Sequence, residues 1–64
     1  MVLYTVRVTK NDSVSAVEYK DILYIWWQHN GQLLVLEKGA REKDREYIYY
    51  PVSALDHVHV KEQI

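Results

Sequence analysis

The chain has no cysteine and no phenylalanine, and only one proline and two glycines in 64 residues. Without cysteine it can build neither a disulfide framework nor a thiolate metal site. Both are supplements on which small domains commonly rely. It also lacks an excess of either charge, with eight Lys and Arg against nine Asp and Glu. A dedicated nucleic-acid binder draws much of its affinity from a basic surface, so nucleic acid is not the expected partner. That expectation would change if Arg7, Lys10, Lys20, Lys38 and Lys61 gathered in one place. No apolar run approaches the roughly 20 residues of a membrane-spanning helix, and "MVLYTVRV" is too short and too alternating for a signal peptide. A soluble, cytoplasmic protein without membrane partners is expected.

At this length residues 1–64 form one small domain. Such a chain buries only about 60% of the surface its unfolded form exposes, so its stability margin is thin. With disulfides excluded, association with a second copy is the natural supplement. The missing phenylalanine sharpens this point. All eight aromatic residues are Tyr or Trp, so every ring has a polar handle suited to a place that is packed at one end and wet at the other. Such residues are enriched at interfaces, although small domains with few buried sites also favour Tyr.

Residues 2–9, "VLYTVRVT", alternate as a half-buried strand does, with Val2, Tyr4, Val6 and Val8 on one side. A turn at Asn11-Asp12, beside Ser13, would place Val6 opposite Val17 and Tyr4 opposite Tyr19 in a second strand around 14–20. Ser15 and Glu18 have capping-box spacing, but Val14, Val17 and Tyr19 favour extended structure. Lys20-Asp21 reads as a corner. In "ILYIWWQHNGQLLVLEKG", Asn30-Gly31 is a strong type I′ hairpin signal. The resulting pairing puts Leu23, Ile25, Trp27, Leu34 and Leu36 on one face and Ile22, Tyr24, Trp26, Leu33 and Val35 on the other. "REKDRE", residues 41–46, alternates in charge and reads as an exposed loop in which nothing is buried. Strand propensity returns at "EYIYY", which Pro51 ends or confines to an edge. A last strand, "HVHVK", turns Val58 and Val60 to one face.

Two resemblances follow from these residues. "YYPVSALDHVHV" resembles the strand, tight turn and short strand that close SH3-like and Sm-like small barrels. The longer pattern, "VEYKDILYIWWQHNGQLLVLEKG" followed by "YIYYPVSALDHVHV", is similar to short all-β proteins encoded by bacteriophages, particularly those of actinobacteria. That group has no assigned activity, so the resemblance implies an origin and not a mechanism. The expected fold is a single antiparallel domain of five to six short strands, either an SH3-like partly open barrel or a curled meander.

Residues that could carry chemistry are few. His57 and His59, two apart on a strand, project from the same face and could supply two metal ligands. Asp56 and Glu62 alternate to the other face and His29 lies on another hairpin, so the ligand set is incomplete and no cofactor is expected. Ser13, Ser15 and Ser53 lie in or beside turns, where serine bonds to backbone. Glu37 falls opposite Tyr24 as a solvated rim residue or a partner of a Tyr hydroxyl. No nucleophile with a positioned base is present, and enzymatic activity is not expected.

The hairpin poses the central question, because it is apolar on both faces and the chain has room for one core. With Leu23, Ile25, Trp27, Leu34 and Leu36 assigned to that core beside Val2, Tyr4, Val6, Val8, Val17, Val58 and Val60, the residues Ile22, Tyr24, Trp26, Leu33 and Val35 are left as a surface of the size that marks interaction sites. The expected function is a non-enzymatic protein-interaction module, either a homo-oligomer (a dimer) or a binder of another protein. In the alternative, the sheet curls to enclose both faces and Trp26 is structural. A further alternative is a small barrel that binds single-stranded nucleic acid by stacking bases on Tyr24, Trp26, Tyr47 and Tyr49.

Overall fold

Strand β1 (Leu3–Lys10) shows the expected alternation, burying Val6 and Val8 and exposing Arg7 between them. The structure is a computed structural model that describes residues 2–12 and 14–63. The expectation for Ser13 therefore lies outside the described residues. Four more strands follow: β2 (Ala16–Gln28), β3 (Leu33–Lys38), β4 (Glu46–Pro51) and β5 (Leu55–Gln63). All pair antiparallel in one sheet of spatial order β4-β3-β2-β1-β5. The first four strands form a meander, and the fifth returns beside the first. The sheet is not closed, and β4 and β5 are its edges. Single turns of 3₁₀ helix, Glu42–Asp44 and Val52–Ala54, flank β4.

The hairpin between β2 and β3 forms in the expected register, with Ile25 opposite Leu36, Trp26 opposite Val35 and Trp27 opposite Leu34. Asn30 (φ 57°) and Gly31 (φ 84°) both take positive φ, and the Gln32 N–H donates to the His29 carbonyl at 3.1 Å. These are the dihedral signs and the hydrogen bond of a type I′ turn.

The first hairpin differs from expectation by two residues. Val6 lies opposite Tyr19, and Val8 opposite Val17. A shift of two preserves the faces, so the same side chains still meet inside. The longer loop arises because Asn11 bonds to the turn after β4 instead of making a tight reversal. Its backbone N–H donates to the Ala54 carbonyl at 3.0 Å and its Nδ2 to the Ser53 carbonyl at 2.7 Å. No helix forms at Ser15–Glu18, and Glu18 is a strand residue opposite Arg7.

At Lys20-Asp21 the chain bends without breaking, so β2 is one strand of 13 residues and the expected corner is corrected to a bulge. Two steps along β1, from Tyr4 to Val6, match three along β2, from Ile22 to Tyr19. A second irregularity against β3 falls between Ile22 and Tyr24. Each extra residue exchanges the faces of the strand and adds bend and twist. Asp21 takes φ 59°, and Gln63 holds it there. The Gln63 Nε2 donates to the Asp21 carboxylate at 2.8 Å, and the Asp21 N–H donates to the Gln63 Oε1 at 3.0 Å. The Asp21 carbonyl accepts from the Gly39 N–H at 2.9 Å. Gly39 has φ 125°, and a Cβ there would stand 2.7 Å from the Asp44 carbonyl oxygen, so glycine is required.

These bulges move Ile22 into the core. Ile22, Val6, Val8, Leu34 and Leu36 form the buried cluster, with Tyr4, Ile25, Ile48, Val52 and Val58 packed against it. Across the inner face the Tyr19 and Tyr50 hydroxyls hydrogen-bond, with ring centres 6.3 Å apart. Tyr19 is on β2 and Tyr50 on β4, strands that are not neighbours, so this pair latches the curl. Burial, and secondarily the contact with Tyr50, push the Tyr19 hydroxyl up to about 12. Trp27, Val2, Val17 and Val60, all expected inside, are about half exposed, and Leu23 is half-buried. An open sheet does not cover its strand ends and edges.

Candidate interaction surface

The second half of β2, with β3 and β4, turns its outer side away from the core. Strand register places three rungs on it: Tyr24–Glu37–Tyr47, Trp26–Val35–Tyr49 and Gln28–Leu33–Pro51. Two columns of rings thus flank the central strand. Tyr24, Tyr47 and Tyr49 are 58%, 50% and 59% exposed, and Trp26 is half-buried. Tyr24 and Trp26 meet edge to face with ring centres 6.5 Å apart, an arrangement favoured by the ring quadrupoles.

Two of the five residues expected on this surface are not accessible. Ile22 is 0% exposed because the bulges carry it to the inner face. Val35 is 1% exposed although it lies on the outer side. Its neighbours in the rung, Trp26 and Tyr49, enclose it within one subunit, so part of the second apolar face is buried locally. Tyr24, Trp26 and Leu33 remain, and Tyr47 and Tyr49 join them. The alternating "YIYY" pattern already put Tyr47 and Tyr49 on one side, but their place beside the hairpin required the pairing of β3 with β4.

The outer face also contains an ion pair that corrects two expectations. Glu37 is neither a rim residue nor bound to a tyrosine hydroxyl: it accepts from Arg45 Nη1 at 2.6 Å. The two side chains are 12% and 23% exposed. "REKDRE" therefore does contain one largely buried residue, and the rest of the segment is exposed, with Arg41 and Asp44 paired at 3.0 Å. Arg45 lies diagonal to Glu37 across the β3–β4 connection, beside Gly39, whose missing side chain leaves room for this approach. The Arg45 Nε is buried without a partner. The rings thus surround a neutralised pair, and the face has little net charge.

The other half of the outer surface is polar. On β1 and β5, Thr9 lies opposite His57, Arg7 opposite His59 and Thr5 opposite Lys61. Arg7 also pairs with Glu18 of β2 at 3.0 Å. The five cations on which a basic patch would depend do not gather in one place, since Lys20 is on β2 and Lys38 at the end of β3. Arg7 and Lys61 are on this polar half, and Lys10 lies over Tyr50, with 5.8 Å from Nζ to the ring centre. The His57 and His59 ring centres are 5.3 Å apart. No third His, Cys, Asp or Glu joins them among the described residues. Ser53 is in the 3₁₀ turn after β4, where its carbonyl accepts from Asn11. Among the described residues no helix is long and apolar enough to cross a membrane.

No protein-family model matches the chain, and neither a curated protein nor a solved structure shows significant similarity to it.

Proposed function

We propose that the chain is a non-enzymatic protein-interaction module that self-associates through Tyr24, Trp26, Leu33, Tyr47 and Tyr49. One observation carries this reading: four polar-tipped rings stand side by side on one sheet face, three of them at least half exposed. The partner that fits is a second copy. Glu37 and Arg45 neutralise each other, so the charges between the ring columns are already paired within the chain. A twofold axis would set ring column against ring column at the roughly 10 Å spacing of stacked sheets. Burying apolar area there contributes on the order of 25 cal/mol per Å², from which the costs of association are subtracted. The resemblance to short bacteriophage proteins suggests a phage- or bacterium-encoded accessory role with no assigned target. The single-stranded nucleic-acid alternative requires free cations between the rings, and Arg45, which stands beside them, is bound to Glu37.

The test is the mass in solution, by light scattering over a wide concentration range, in the presence of a chelator. The wild type is expected to reach a dimer, and Tyr49→Lys or Tyr24→Lys to remain monomeric with an unchanged β-sheet spectrum. Both side chains are exposed, so a charge there does not disturb the core. A wild type that stays monomeric at millimolar concentration overturns the reading.

A further inference from the structure

We propose that His57 and His59 are a preformed half-site for a tetrahedral divalent cation of the zinc type, completed by the same two residues of a second copy aligned antiparallel along β5. Two imidazoles bound to one tetrahedral Zn²⁺ at about 2.0–2.1 Å, each nitrogen standing about 1.1 Å from its ring centre, place those centres about 5.2 Å apart. The observed separation is 5.3 Å, with the rings tilted 46° to one another, so the ring spacing already matches that of two ligands of one ion.

A single subunit provides two ligands where a closed zinc site uses four, and none of the described acidic or histidine residues supplies the others. The topology indicates where they come from. β5 is an edge strand that pairs only with β1 among the described residues, and its other side is open to a further strand. Its nine residues, "LDHVHVKEQ", contain neither proline nor glycine to block pairing. An antiparallel pair centred on Val58 places His57 of one copy opposite His59 of the other, and the reverse. All four imidazoles then lie on one face, with directly opposed Cβ atoms about 4.5–5.5 Å apart. Two cations, Arg7 and Lys61, lie close to the site. Arg7, opposite His59, is engaged by Glu18 at 3.0 Å. Lys61 is two residues farther along β5, away from the centre of such a pair.

This inference is independent of the aromatic face, and its test uses the Tyr49→Lys variant to remove that contact. Zn²⁺ is titrated into chelator-treated protein, and mass and bound metal are measured together. The expected result is a doubling of mass that saturates at one Zn²⁺ per two chains and is reversed by chelator. His57→Ala and His59→Ala should each abolish the doubling, and His29→Asn, which suits the positive φ of 54° at that position, should retain it. These three residues are exposed, so the variants keep the fold. Unchanged mass, one Zn²⁺ per chain without association, or doubling that survives His57→Ala with His59→Ala would each overturn the proposal.

Discussion

The outer side of this sheet consists of two unlike halves that share β2. Over β5, β1 and the start of β2 it displays Thr5, Arg7, Thr9, His57, His59 and Lys61, as expected of a sheet with one wet face. Over the rest of β2, β3 and β4 it displays Tyr24, Trp26, Tyr47 and Tyr49 above a buried valine and a nearly buried ion pair. The first half is complete once its inner face is covered. The second half retains apolar area that its own chain covers only in part. In a domain with so little core, such area contributes nothing to stability until a partner covers it.

Each half has an ion pair on its sheet face, Arg7–Glu18 on the polar half and Arg45–Glu37 on the aromatic half, and the two differ in environment, so mutation of each tests the comparison directly. Arg45→Ala should have the largest effect, about 3 kcal/mol by urea unfolding, because it strands the Glu37 carboxylate among rings. Arg45→Met with Glu37→Gln should recover most of that loss, since both charges leave together. A cost below about 1 kcal/mol for Arg45→Ala would show the aromatic half to be as solvated as the other.

The latch between the halves provides a test of intermediate size. The Tyr19 hydroxyl is raised to about 12 in the folded chain, against about 10 for an unperturbed tyrosine. Folding therefore favours the protonated form. Its contribution is fully present below about pH 10 and is lost as pH rises toward 12, an effect of about 2 kcal/mol. Urea midpoints measured from pH 8 to 11.5 should fall at the alkaline end. Tyr19→Phe should flatten that fall, and an equal fall in the variant would remove Tyr19 as its cause. The smallest effect belongs to the polar half. Arg7 and Glu18 are 59% and 40% exposed, so Arg7→Ala should change stability by less than about 1 kcal/mol and still less in high salt. A larger loss would mean that the half read as solvated also depends on its charges.

The residues differ in how openly they announced these roles. Asn30-Gly31 and the alternation of residues 2–9 could be read directly, because positive φ and period-two burial are local properties. Pro51 at the end of an edge strand was equally legible. Ile22 was misplaced because an ideal strand alternates without interruption, whereas β2 contains two bulges. Lys20-Asp21 showed that the chain bends there, but not that the strand continues through the bend. Arg45 was hidden within a charged run whose other members are solvated, and only the pairing of β3 with β4 brings it to Glu37. Val35 could not be recognised as buried because the rings that cover it come from two other strands.

The sequence by itself determined the all-β class, the position of the main reversal and the presence of more apolar surface than one core can use. Each follows from short-range sterics or composition, which do not depend on distant residues. The tertiary structure decided which of those apolar residues remain exposed, which charge neutralises Glu37 and how close the two histidine rings stand. Those outcomes depend on which strands become neighbours and where the ladder slips. A single inserted bulge residue reverses every face beyond it, so no local pattern can specify them.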